Sequence, residues 1–324
     1  MQLPIPSTWA GHESVFRPSS GSAHVVFGLF TFMLIVSVIV YVVVIAGALF
    51  AARSRREAGV AGPPGREPAL RRAVTIATAV TVLILFADLF YDFGVGRAVA
   101  APRDAGNALR IDVVGHQWWW EVQYQDTAPQ RLVTTANEIH VPIHRPVLLN
   151  LSSTDVIHSF WIPNLNGKKD LVPGHHNDAW FQVDTTGVYR GQCAEFCGLE
   201  HAKMAIIIIA ETPEQYQAWY NAQLKAPPPP VDSLRLAGQQ VFLSAPCVMC
   251  HAIGGTPAGA TAGPDLTHIG SRMTLAAGVL PNTASNLESW IADPQHIKPG
   301  ANMPATHLSR ADIHAVTAYL EGLK

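Results

Sequence analysis

Cys193, Glu195, Cys197, His201 and Met204 fall within twelve residues of the segment G-Q-C-A-E-F-C-G-L-E-H-A-K-M at 191–204. Two thiolates, an imidazole and a thioether are soft or borderline donors, a set that suits copper rather than calcium or magnesium. A mononuclear blue-copper centre takes one cysteine, two histidines and a weak axial methionine. Here the sulfurs are doubled at i and i+4, one more than such a centre uses, and two facing thiolates can bridge two metals. A second histidine must come from elsewhere, and His158 in D-V-I-H-S-F is the best candidate. Zinc would accept the cysteines and histidines but has no use for Met204. A Cys193–Cys197 disulfide would leave His158, His201 and Met204 unexplained.

The other two cysteines lie in Cys247-Val248-Met249-Cys250-His251. C-x-x-C-H is the signature of covalent c-type haem attachment. Its spacing lets two thiols reach the two vinyl groups of one porphyrin edge while the adjacent histidine turns to the iron. All four cysteines are thus claimed by ligand motifs, and none remains for a structural disulfide.

C-A-E-F-C-G-L-E-H-A-K-M with its upstream D-V-I-H-S-F resembles the dinuclear copper (CuA) loop of the cytochrome c oxidase subunit II family. The resemblance implies copper ligation by His158, Cys193, Glu195, Cys197, His201 and Met204, with Glu195 ligating through its backbone carbonyl. It also implies that the Glu195 side chain reaches a magnesium shared with subunit I. In G-H-Q-W-W-W, strand alternation would put Trp119 on the face opposite Trp118 and Trp120. The resemblance aligns Trp118 with the tryptophan through which the family admits electrons. Asp155 could orient a ligand or face the partner subunit. Asp170 and Pro173-Gly174 are similar to the family's D-x-x-P-G turn, but His175-His176 follow where an arginine often stands. These two histidines, with His116, His140 and His144, read as ordinary solvent-facing residues.

Residues 232–324 resemble a class I cytochrome c over nearly their whole length. A helix carrying Gly238 and Phe242 precedes the C-x-x-C-H, A-G-P-D-L follows at 262–266, and K-P-G-A-N-M-P at 298–304 supplies Met303. By that resemblance His251 is the proximal axial ligand and Met303 the distal one, a pairing that raises the reduction potential.

The elements that must position these groups show in the hydropathy. At 324 residues, two or three folding units are expected. A content of 48% hydrophobic and only 14% charged residues is low in charge for a soluble protein, and the deficit concentrates near the N-terminus. After a polar lead-in at 1–22, residues 23–52 contain no Asp, Glu, Lys or Arg, enough for a membrane helix. A second apolar run covers 73–87 and is expected to continue as helix past Asp88, giving a hairpin over 23–95. The connecting segment 53–72 carries six arginines, which places it in the cytoplasm and both chain ends outside. From 107 to 225, short β-branched runs separated by turn residues predict an all-β sandwich or barrel. The resemblance makes it a cupredoxin-like Greek-key domain. A short helix is expected at 213–224, an extended proline linker at 226–231, and a small all-α domain at 232–324, with helices near 233–243, 283–292 and 309–323.

A net charge of −2 gives no sign of nucleic-acid binding. The resemblance implies an electron-transfer subunit of a respiratory haem-copper oxidase of the caa type in a bacterial inner membrane. Its cofactors would be two copper ions, one haem c and a shared magnesium. Its partners would be subunits I and III, membrane lipid, and a donor cytochrome or quinol–cytochrome c reductase, with oxygen reduction coupled to proton translocation. A nitric oxide reductase with a dicopper-bearing small subunit is the alternative. A copper-storage protein has no use for Cys247–His251 and Met303.

Overall fold

The computed structural model describes residues 13–58, 67–100, 106–126, 128 and 131–324. Residues 1–12 of the lead-in and 59–66 of the arginine-bearing loop lie outside the described residues. The chain divides into two compact units, His24–Ala100 and the remainder.

The smaller unit is built from two long helices, α1 (Gly21–Ala58) and α2 (Glu67–Ala98). Both are long and apolar enough to cross a membrane. Their apolar side chains point outward all round, with Ile35, Val43, Leu83 and Phe90 exposed, as lipid rather than water would require. The ring of Phe32 meets Tyr91 edge-on at 5.3 Å across the hairpin. The second helix starts several residues before the uncharged run and ends well past Asp88. Asp88 and Asp92 do not break it, because helix propensity tolerates an isolated acid.

Among the described residues the β domain has ten strands: β1 (Leu109–His116), β2 (Trp119–Gln125), β3 (Val133–Ala136), β4 (Glu138–Pro142), β5 (Val147–Ser153), β6 (His158–Phe160), β7 (Lys169–Leu171), β8 (Asn177–Phe181), β9 (Gly187–Gln192) and β10 (Ala205–Glu211). One sheet runs β3-β2-β1-β5-β8 and the other β4-β10-β9, with β6 and β7 paired apart. β1 is parallel to β5 and antiparallel to β2, and β10 is parallel to β4 and antiparallel to β9. Strand alternation turns Ile111, Val113, Trp120, Val122, Leu149 and Leu151 inward, where they meet Ile206 and Ile208 of the second sheet in one core. This is a cupredoxin-like sandwich. The helix α3 (Pro213–Gln223) follows, opened by a Thr212–Gln215 capping box.

Beyond the extended residues 226–231 lies a helical module with its own core around Phe242, Ile253, Leu287, Ile291, Val316 and Leu320. Its main helices are α4 (Ser233–Ser244), α5 (Ala284–Ala292) and α7 (Arg310–Glu321), with the single turn α6 (Pro294–Ile297) before the methionine loop. Asp232, Thr283 and Ser309 cap the three longer helices, each accepting from the backbone N–H three residues on. The module also has a small hairpin, β11 (Thr274–Leu275) and β12 (Leu280–Pro281).

Candidate metal centres

Three loops of the β domain converge at one end. His158 opens β6, the two cysteines follow β9, and Met204 sits just before β10. The Sγ atoms of Cys193 and Cys197 are 3.7 Å apart. Around them lie His158 Nδ1, 3.9 Å from the Cys193 sulfur, and His201 Nδ1, 3.6 Å from the Cys197 sulfur. Met204 Sδ is 3.9 Å from Cys197 Sγ, and the Glu195 carbonyl oxygen is 3.3 Å from Cys193 Sγ. His158, Cys193, Cys197 and Met204 are buried. β1 makes room for the imidazole at Gly115, where a Cβ would stand 2.7 Å from His158 Cδ2.

The electrostatics suit a cation. Cys193 is held down to about 3, first by the hydrogen bond from Cys197 and, against the cost of burial, by His158. That same bond, together with burial, pushes the Cys197 thiol up, so the pair shares one proton. A metal with two bridging thiolates would displace it. Burial works against a charged His158, yet its bonds to Cys193 and Asp155 outweigh that and raise its pKa. Asp155 Oδ1 lies 2.8 Å from His158 Nε2, which leaves Nδ1 aimed at the sulfurs. The carboxylate of Asp155 also accepts from the backbone N–H of Gln117 and Val156, both at 2.6 Å. Burial would raise its pKa, but these bonds lower it.

Trp118 is not on a strand. It occupies the two-residue turn between β1 and β2, so it does not share a face with the buried Trp120. Its Nε1 donates to the Cys197 carbonyl at 2.9 Å. Gln117, which the sequence reading passed over, donates its Nε2 to the same carbonyl at 2.8 Å. Glu195 turns its carboxylate away from the sulfurs toward Lys168 Nζ, at 3.1 Å.

Two histidines read as solvent-facing are otherwise placed. His116 lies 3.1 Å from Glu121 and stacks on Trp119, while His140 lies 3.0 Å from Glu211 and stacks on Trp219 at 4.0 Å. Both lie on strands, where a neighbouring strand or helix supplies carboxylate and indole. His175 and His176 are exposed.

In the helical module, Cys247 lies within a short turn of 3-10 helix (Pro246–Met249) and Cys250 caps its end, with His251 next in sequence. His251 donates its Nδ1–H to the Pro264 carbonyl at 2.8 Å, which leaves Nε2 as the free donor for iron. Burial lowers its pKa, favouring the neutral ring that a metal needs. Arg272 donates to the Asp265 carbonyl, but its Nε is buried without a hydrogen-bond partner, a vacancy that a carboxylate edge of a porphyrin would fill. Met303 is half-buried on the loop after α6, its carbonyl accepting from Gln295 Nε2 at 2.8 Å. The donor sets of both motifs therefore fit the groups their chemistry implies. Arg272 and Gln117 carry no spacing signal, which is why the motifs alone did not find them.

The family description "Cytochrome C oxidase subunit II, periplasmic domain" matches residues 109–211, and "Cytochrome c" matches residues 236–324. Cytochrome c oxidase subunit 2 of Alkalihalophilus pseudofirmus is 38% identical over 258 residues, which cover 79% of this chain and 71% of that one. The protein of the same name from Bacillus sp. strain PS3 is 35% identical over 230 residues, covering 67% of this chain and 63% of its own. A solved structure, the periplasmic domain of subunit II of cytochrome oxidase of Bradyrhizobium japonicum, is 30% identical, with a TM-score of 0.34 over 36% of this chain and 92% of that one. The first match covers the copper loop, the second covers the C-x-x-C-H, and a relative aligned over most of both chains carries the same name: this chain belongs to the cytochrome c oxidase subunit II family.

Proposed function

We propose that this chain is the electron-relay subunit of a respiratory haem-copper oxidase. It would carry electrons from a covalent haem c to a dinuclear copper centre, and on to a separate subunit that reduces oxygen and translocates protons. The observation that supports this most is the convergence of four further donors, from His158, Glu195, His201 and Met204, on two sulfurs 3.7 Å apart. When bound, the haem and the copper pair supply one-electron carriers, and the protein supplies ligands, orientation and burial.

Each residue then has a task. Cys193, Cys197, His158, His201, Met204 and the Glu195 carbonyl would together hold the copper ions, which would supply the one-electron carrier. Asp155 locks the tautomer of His158 through its 2.8 Å bond. Gln117 and Trp118 hold the Cys197 carbonyl from the side on which Trp118 would admit electrons. In the helical module, Cys247 and Cys250 would attach the porphyrin, and His251 and Met303 would hold its iron. Glu195 would exchange Lys168 for a magnesium shared with subunit I. Subunits I and III are the expected partners, with a cytochrome or quinol–cytochrome c reductase as donor. The two apolar helices anchor the chain in a bacterial inner membrane, with the copper and haem domains on the outer side.

Purification of the complex tests the reading. It should contain haem c, two coppers per chain and oxygen-consuming activity; nitric oxide consumption in its place would overturn the acceptor. Met303→Ala should lower the haem reduction potential, because a thioether ligand favours the ferrous state. Redox titration of the haem bands checks this, and an unchanged potential excludes Met303 as the axial ligand.

A further inference from the structure

We infer that the cytochrome module is a fixed donor, clamped to the copper loop by the buried ammonium of Lys298, and does not swing on its proline linker. The inference deepens the relay reading above. It concerns how the haem domain is held rather than which metals are bound.

Lys298 lies five residues before Met303 and is only 3% exposed. An ammonium has three N–H donors, and each has an acceptor here. Nζ lies 2.6 Å from the Trp118 carbonyl, 2.8 Å from that of Lys203 and 3.3 Å from that of Ala276. The first two belong to the copper domain and the third to the cytochrome module. A buried cation without partners is very costly, so these carbonyls can exist as a set only while the two modules are docked. Two charged side chains face it, Glu200 and Lys203, themselves 3.3 Å apart. Lys203 returns the contact, donating its Nζ to the Ile297 carbonyl at 2.8 Å. Asn302, next to Met303, donates to the Gln117 carbonyl at 3.0 Å, and Gln117 reaches the Cys197 carbonyl. Two hydrogen bonds thus link the neighbour of the haem methionine to a copper cysteine.

Two more features hold the same seam. The buried carboxylate of Glu138, at the start of β4, accepts from the N–H of Met273 at 3.0 Å, from the N–H of Thr274 at 2.8 Å and from the Thr274 hydroxyl at 2.9 Å. The Ala205 N–H donates to the Ala277 carbonyl at 3.0 Å. A sandwich strand needs apolar residues only at alternate positions, yet Ala205–Ala210 is apolar throughout and buried on both faces. Ile206 and Ile208 fill the sandwich core, while Ile207 and Ile209 pack outward with Val188 against Met273 of the cytochrome module. The strand's composition is that of a surface permanently covered.

The test uses the full chain. Hydrogen exchange on the fully loaded protein reads the seam directly and follows no electron transfer, so its outcome stands whether or not the relay reading does. Lys298→Met keeps the length and apolar stem but removes the three donors; amides at 203–207 and 273–278 should exchange at least about tenfold faster, while the core amides of β1 and β5 stay protected. Unchanged exchange at both segments overturns the clamp. A second arm leaves the seam intact: about twelve Gly and Ser residues are inserted into 226–231 of the fully loaded chain. A clamped donor keeps its haem-to-copper transfer rate, followed after flash reduction of the haem. A swinging donor slows as the lengthened linker dilutes it, which would overturn the inference.

Discussion

Cys197→Ser should erase the near-infrared band of mixed-valence copper and leave the haem c bands unchanged. Cys197 is the hub of the copper loop. Its sulfur lies 3.7 Å from that of Cys193, 3.6 Å from His201 Nδ1 and 3.9 Å from the Met204 thioether. A serine hydroxyl is a hard donor that keeps its proton near neutral pH, so it can neither bridge nor share charge between two coppers. One metal at most would remain, held by Cys193 and His158. The haem motif is expected to be indifferent, because Cys247, Cys250 and His251 belong to a module with a separate hydrophobic core. Near-infrared absorption and copper analysis on the same preparation decide the matter. A retained band, or two coppers still bound per chain, would sink the dinuclear assignment.

The second large effect belongs to the cytochrome module. Gly238→Ala should lower its stability by about 3 kcal/mol, the upper part of the usual overpacking range. An added Cβ would stand 2.0 Å from the Ala315 carbonyl oxygen and 2.5 Å from its carbon. These are backbone atoms of α7, and they cannot rotate away. The two helices would have to part, loosening Phe242 from Tyr319, whose rings are 6.2 Å apart. The gain in helix propensity is roughly 1 kcal/mol or less and does not compensate. For a domain of this size the loss corresponds to a melting shift on the order of 10–20 °C, followed by the haem absorbance. A melting curve unchanged by the alanine would contradict the close crossing.

Much of this architecture is written in local pattern. The two metal motifs are legible because ligands must lie close in sequence when one loop supplies them, as Cys193 to Met204 do. Long apolar helices and the alternation of Leu109, Ile111 and Val113 are legible for the same reason: burial repeats with the period of the element. What escapes is set by distant segments. β6 and β7 are three residues each, too short for a period, and exist because His158 pairs with Leu171. His140 looks like any strand histidine until Glu211 and Trp219 arrive from 71 and 79 residues further on. Trp118 follows the strand rhythm in sequence, but the β1–β2 turn falls on it and aims its indole at Cys197. A loop lysine is ordinarily solvated, so nothing in K-P-G-A-N-M-P announces that Lys298 is buried.

The outward isoleucines of β10 also bear on how this chain could be divided. Cutting it after Lys225 would bare Ile207, Ile209 and Val188 as one greasy stripe in the middle of a sheet, the kind of patch that drives self-association. A copper domain produced that way should oligomerise or precipitate, and polar replacements at Ile207 and Ile209 should restore a monomer. The fusion is therefore hard to reverse by descent: a lineage that discarded the haem module would have to rewrite this strand as well.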